Sequence, residues 1–327
     1  MPSLPALILP LIVFLLAGCT KTSFYNLQTP AASQADQYVE TEGLSRLPNK
    51  TLAIVSFGIE YDTKVTYPLS YCHGYQLPGG LYTIRHFHKE VTLDLTRARM
   101  QSLADQAYAK LVMDLKAAGF VLIPYETYKE TLAYQALADI VENKSPVSLS
   151  FRFGDPENLV TGEALVFSPT DLVWYSPPLG EVGSRIGDTL TSLGSEIRYA
   201  RRGFSGGQAV IKAEVELADA LNATLLKVYY VVSPVRSFVQ TRFLEGAFPV
   251  EGNTIVGRGE TRLAFRTPRA PTGFLPFSKN TPPQDGNVFV RLKRDVQLDT
   301  ALTSDQDLDD HLDAVREMWM TKLIAGT

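Results

Sequence analysis

The chain has 327 residues, of which 45% are apolar and 20% charged, and a formal net charge of −4. These proportions fit a folded globular protein, and the length allows one large domain or two small ones. The acidic balance, with a pI near 5.7, excludes a general nucleic-acid binder.

The chain opens on an apolar run, Leu4 to Ala17, interrupted by Pro5 and Pro10. It is shorter than the roughly 20 residues a spanning helix needs. An apolar core of about 7–15 residues followed by small residues fits a cleaved export signal. Ala17-Gly18 gives a peptidase close access to the backbone before Cys19. The tetrad Leu16-Ala17-Gly18-Cys19 resembles the lipobox of bacterial lipoproteins. The resemblance implies removal of residues 1–18 and attachment of acyl chains such as palmitate to Cys19. It also implies the outer membrane, facing the periplasm, because Thr20 rather than Asp follows the cysteine. Each buried methylene contributes about 0.8 kcal/mol, so two or more chains hold the protein on a bilayer without crossing it. With Cys19 so used, Cys72 stands alone and no internal disulfide is expected.

Lys21 to Asn49 is polar and reads as a flexible tether, so that residues 19–49 join the lipid to a single α/β domain over 50–327. The body begins with an apolar strand, Thr51 to Phe57. Gly58 to Glu90 reads as an elaborated loop or hairpin turning at Pro78-Gly79-Gly80. Helical spacing of Met100, Leu103, Ala107, Leu111 and Leu115 predicts a helix over Thr96 to Ala118, with Gly119 as its C-terminal cap. A strand at Phe120–Ile123 and a helix opened by Pro124, carrying Leu132, Leu137 and Ile140, follow. Ser145 to Pro178 reads as irregular, part of an insertion at about 145–207, and a helix with the Val182, Ile186, Leu190, Leu193 and Ile197 stripe lies within it. Beyond it come a helix at Gln208–Leu221 and a strand at Thr224–Val232. Leu263 and Phe265 alternate with Arg262, Ala264 and Arg266, and Val288, Val290 and Leu292 with Phe289, Arg291 and Lys293, which predicts strands joined by the loop Pro268 to Pro283. The chain closes in a helix capped by Ser304, with a stripe of Leu308, Leu312, Val315, Trp319 and Leu323. The fold class is therefore α/β: a mixed sheet with packed helices, a C-terminal helix and an irregular middle insertion.

The order strand, long helix, Ala-Gly-Phe, strand, short helix, with Leu221-Asn222-Ala223-Thr224 leading into a later strand, resembles the periplasmic lipoproteins related to the curli-secretion lipoprotein and the N-terminal domain of the TolB translocation protein. That resemblance covers about half of the body. It implies a helix pair on a mixed sheet and a part in envelope assembly or transport.

Three constellations could carry chemistry. Cys72, His73, His86 and His88 lie close in sequence, and imidazoles with a thiolate suit Zn or Cu; the alternative is a Tyr/His-rich hairpin packed on the sheet. Gly203-Phe204-Ser205-Gly206-Gly207 matches G-x-S-x-G, which in hydrolases exposes a serine at a strand end. The preceding Tyr199-Ala200-Arg201-Arg202 is charged for such a strand, and the downstream His311 is expected in solvent on the first turn of an acidic helix. A flexible glycine turn is the alternative for Ser205. Finally, Phe167, Trp174 and Tyr175 could serve as aromatic anchors for a partner. The sequence thus leads to a non-enzymatic lipoprotein: scaffold, assembly factor or transport component, bound to the membrane through its lipid and to an envelope protein or a second copy of itself. No cofactor is expected, apart from Zn or Cu under the metal reading.

Overall fold

A computed structural model describes residues 25–73, 83–140, 145–153, 160–170, 172, 207–233, 255–256, 261–268, 288–294, 296 and 305–327. In chain order the elements are α1 (Ala31–Tyr38), β1 (Val39–Glu42), β2 (Thr51–His73), β3 (Thr83–Thr92), α2 (Arg97–Ala117), β4 (Val121–Leu122), α3 (Tyr125–Tyr128), α4 (Leu132–Ile140), β5 (Val147–Phe153) and β6 (Val160–Phe167). Then come α5 (Gly207–Leu221), β7 (Thr224–Ser233), β8 (Ile255–Val256), β9 (Arg262–Arg266), β10 (Val288–Leu292) and α6 (Asp305–Gly326).

All ten of these strands join one mixed sheet, ordered β1-β10-β9-β7-β2-β6-β5, with β3 and β4 also on β2 and β8 on β7. The axis is β2. Its Leu52–Tyr61 half runs parallel to β7, while Ile59–Thr66 pair antiparallel with β6 and Lys64–His73 with β3. Ile59–Tyr61 bond both β6 and β7, and Lys64–Thr66 bond both β6 and β3. A strand has two edges, so β7 and β3 follow one another along one edge and β6 occupies the other.

Alternation along the strands divides the sheet into two faces. Phe57, Ile59 and Tyr61 of β2, Leu226, Val228, Tyr230 and Val232 of β7, and Leu263 and Phe265 of β9 share one core with α1, α2 and α6. Its centre is Trp319, fully buried, its ring 4.7 Å from that of Tyr230. On the opposite face Ala53, Val55 and Leu225 pack against Tyr128, Tyr134 and Leu137 of α3 and α4 and Leu217 and Ala218 of α5. The Tyr128 hydroxyl donates to the Ile54 carbonyl at 2.6 Å. Charged groups sew α6 onto α2: Arg99 reaches Asp309 and Lys110 reaches Asp313, each at 2.7 Å.

The two best helices end alike. After α2, Gly119 stands at φ +84; its N–H donates to Lys116 O and that of Phe120 to Leu115 O, both at 3.0 Å. After α5, Asn222 stands at φ 46, and Asn222 and Ala223 donate back to Asp219 and Ala218. Both are Schellman closures that satisfy the last carbonyls and turn the chain straight into a strand. At the front of α2, the Thr96 hydroxyl accepts from the Arg99 N–H at 3.2 Å.

The sheet, the packed helices, the C-terminal helix, α2 with its Gly119 cap, α5 and β7 follow the sequence expectation. Four expectations need correction. The presumed tether is structured from Tyr25 to Leu47: α1 packs on α6, β1 pairs with β10, and Tyr25, Tyr38, Val39 and Leu44 are core residues. Its apolar side chains are sparse, but Tyr25, Ala35, Tyr38, Val39 and Leu44 reach the core, and edge pairing supplies what composition lacked. The expected strand of seven residues is the start of a strand running to His73. The start of the irregular segment is a β-hairpin, β5–β6, whose register is unbroken from Val147↔Val166 to Phe153↔Val160. Last, the single helix expected after Pro124 is broken into α3 and α4, leaving Leu132 85% exposed. The Val182–Ile197 helix, the Pro268–Pro283 loop, the Pro78–Gly80 turn and the Ser304 cap lie outside the described residues.

If Tyr25–Leu47 belongs to the body, Tyr38→Ala removes a core ring and costs about 3–5 kcal/mol, read as a lowered urea midpoint; a tether residue would leave the midpoint unmoved. Burial first, then the Glu317 carboxylate and Tyr38, push the Tyr25 hydroxyl up to about 12. A phenol whose folded value exceeds its unfolded value near 10 stabilises below pH 10, and that contribution is lost as pH rises through 12. Burial raises Tyr61, Tyr128 and Tyr230 in the same direction. The urea midpoint therefore falls between pH 10 and 12, and Tyr25→Phe makes that fall shallower.

Candidate functional site: a buried ionic layer

The face of the sheet shared by α3, α4 and α5 carries charged residues that are almost fully buried. Glu60 and Asp62 come from β2, Lys227 from β7, Arg262 and Arg266 from β9, and Glu214 from α5; none is more than 5% exposed. The alternation that aims Tyr61, Val228 and Phe265 into the apolar core aims these residues the other way. Glu214 lies one turn before Leu217 and Ala218 on the helix stripe that touches the sheet.

The geometry is specific. Lys227 Nζ donates to Glu214 Oε1 at 2.8 Å, and Arg266 Nε donates to Glu214 Oε2 at 3.0 Å. Each carboxylate oxygen thus accepts from a different strand, and one helix is fixed to β7 and β9 together. Along β7, the Tyr229 hydroxyl donates to the Glu60 carboxylate. The Val231 N–H donates to Thr261 Oγ1 at 3.0 Å, closing the start of β9 onto β7. Glu214 is thereby shared by two cations, and Glu60 is held by a phenol. Buried charges persist only when paired and hydrogen-bonded. Chemically, this arrangement locks register and helix docking; a carboxylate held on both oxygens by cationic donors is ill suited to act as a general base.

Nothing in the sequence reading singled out this layer. Arg262 and Arg266 alternate with Leu263 and Phe265 as expected, yet both are buried. One signal was present: Lys227 interrupts the apolar run Leu225 to Val232, where a lone charge in a central strand demands a partner.

The residues expected from sequence are distributed as follows. The β2–β3 register seats Cys72 opposite Ile84, His73 opposite Thr83, His86 opposite Ser70 and His88 opposite Pro68. Cys72 and His86 therefore occupy neighbouring rows, with His88 one row further; His73 stands at a position of the other parity. His88 is exposed. No group of three or more metal-ligating side chains is found among the described residues. Ser205 and its glycines up to Gly206 lie outside the described residues, as do Trp174 and Tyr175. Phe167 needs correction as a partner anchor: it is 2% exposed and its ring packs edge-on against Tyr61, centroids 6.0 Å apart. Its strand sits beside β2 inside the sheet, so the ring belongs to the core. His311 also departs from expectation. It is fully buried, because α6 presents that side to the body between Leu308 and Leu312.

Fold and site define a class: a mixed α/β domain with helices on both faces of its sheet and a buried ionic layer beneath one of them. Comparison with family models, with curated proteins and with solved structures returns no match.

Removing the Glu214 carboxylate takes from Lys227 and Arg266 the buried anion they share. Glu214→Ala should cost about 3–5 kcal/mol, read as a urea midpoint. A triple exchange of Glu214, Lys227 and Arg266 for Leu, Met and Met should recover most of that loss, and its failure to do so would show that the layer does more than hold the fold.

Proposed function

We propose that the protein is a lipid-anchored lipoprotein of the bacterial envelope, on the periplasmic side of the outer membrane, acting as a non-enzymatic scaffold, assembly or transport component. The observation that carries this reading is Leu16-Ala17-Gly18-Cys19, six residues ahead of a side chain, Tyr25, that is already part of the core. A processing site at that spacing leaves the folded body intact after cleavage. The ionic layer supports the scaffold side of the reading, since its pairing uses the buried charge for docking helix to sheet. No described helix is long and apolar enough to cross a membrane. The resemblance to the curli-secretion and TolB-related lipoproteins points to the same compartment and to an envelope protein, or a second copy, as partner.

Growth with a clickable fatty acid should label the wild type and leave Cys19→Ser unlabelled and unprocessed. A Cys19→Ser variant processed and membrane-bound like the parent overturns the anchor. Capture of the anchored protein in mild detergent should bring down one defined envelope partner or a second copy; recovery of the monomer alone overturns the scaffold role.

A second reading, a periplasmic Zn or Cu binder, is favoured by one observation: pairing of β2 with β3 brings Cys72 and His86 into adjacent rows, at the spacing of diagonal neighbours. Purified protein should then hold stoichiometric metal that His86→Ala abolishes. Metal-free protein with no thermal shift on adding Zn or Cu removes this reading.

A further inference from the structure

Taking the lipid anchor as given, the position of Tyr25 limits which side of the body can meet the bilayer. Tyr25 is 2% exposed and fixed: its ring packs edge-on against Tyr38 at 5.7 Å, and the Glu317 carboxylate of α6 is close enough to raise its pKa. Just after it, the Asn26 N–H donates to Gln34 Oε1 at 3.1 Å, and Gln34 Nε2 donates back to the Asn26 and Thr29 carbonyls at 2.8 and 2.9 Å. The chain from Tyr25 onward is thereby built into α1, with no slack.

Only six residue steps separate Tyr25 from Cys19. Fully extended, they reach at most about 22 Å. A folded chain of about 300 residues has a radius of gyration near 19 Å, hence a radius of roughly 25 Å. The leash is shorter than the body's radius. The acylated residue sits in the interfacial layer, about 5–7 Å thick on each side of the hydrocarbon. Tyr25 therefore cannot lie on the hemisphere facing away from the membrane.

The surface around that point has the chemistry to match. Leu27 is 50% exposed in the turn before α1, and Ile324 is 56% exposed near the end of α6. α6 lies along α1, with Lys322 bonded to Asp36 and Gly326 against Leu44. We propose that the corner formed by Tyr25–Tyr38 and the end of α6 lies against the lipid surface, with Leu27 and Ile324 at the headgroups, and that α3, α4 and α5, on the other face of the sheet, look into the periplasm. The partner surface is then the α3–α5 side.

The inference rests on the anchor, and the test separates the two. The full lipidated chain, with Cys72→Ser to leave no native thiol, carries a fluorophore on Leu27→Cys or, in a second sample, on Leu132→Cys of α4. Each is bound to phosphatidylethanolamine–phosphatidylglycerol vesicles whose acyl chains are brominated. Loss of fluorescence at 27 and none at 132 is expected. A protein that does not float with the vesicles overturns the anchor and the orientation together. A protein that floats with both probes quenched alike, or with 132 the more quenched, overturns the orientation and leaves the anchor standing. A flexible insert of about 20 Gly/Ser residues after Thr20, spanning about 25 Å, should erase the difference between probes; a difference that survives the insert would show that the short leash is not its cause.

Discussion

The body depends on the hydrogen bonding of one strand on both of its edges. β2 gives β7 and then β3 one edge and β4 and β6 the other. Every other strand attaches to β2 directly or through β7 or β6. This requires an extended backbone over 23 residues that the sequence must keep straight enough to pair and free enough to change partners. Register shifts at Ile54/Ser56 against β7 and Asp62/Lys64 against β6 provide the adjustment. Each inserts a residue into the ladder and changes the local twist. Between the two shifts, Phe57, Ile59 and Tyr61 point to the apolar core while Glu60 and Asp62 point to the ionic layer.

Both faces of the sheet are covered by helices, but by different physics. Over α1, α2 and α6 the contact is apolar and aromatic, with salt bridges where α6 meets α2 and α1. Over α5 an apolar patch gives way to ion pairs within one helical turn, from Leu217 to Glu214. Apolar burial is indifferent to small sliding, whereas a carboxylate shared between Lys227 and Arg266 is satisfied in one position only. The ionic layer thus supplies the positional specificity that the apolar patch lacks.

The legible part of this fold was the part determined locally. α2 announced itself by its stripe and by the Gly119 cap at its end. β7 did so by an apolar run broken only at Lys227, and α6 by its stripe up to Trp319. What escaped was determined by distant partners. Val147–Phe153 becomes a strand because Val160–Phe167 pairs with it and in turn with β2. Residues 39–42 become a strand because β10 offers an open edge. The ionic layer escaped for the same reason: Glu214 and Arg266 are 52 positions apart, and each alone reads as a surface charge. His311 and Phe167 misled because local charge and aromaticity say nothing about which way a packed element is turned. The hairpin at Cys72–His88 was foreseen as a hairpin, though not as the far end of the sheet's longest strand.

The shared carboxylate also constrains how this sequence can change over time. Losing any one of Glu214, Lys227 or Arg266 breaks at least one buried ion pair, at a cost comparable to much of a domain's net stability of about 5–15 kcal/mol. Replacing all three by hydrocarbon can be nearly neutral. The positions are therefore coupled, and intermediates between the two end points are the least fit of the series. Descendants of this chain should be found with the full ionic set or with none of it, and a lineage that has crossed from one to the other must have done so in the company of some unrelated stabilising change.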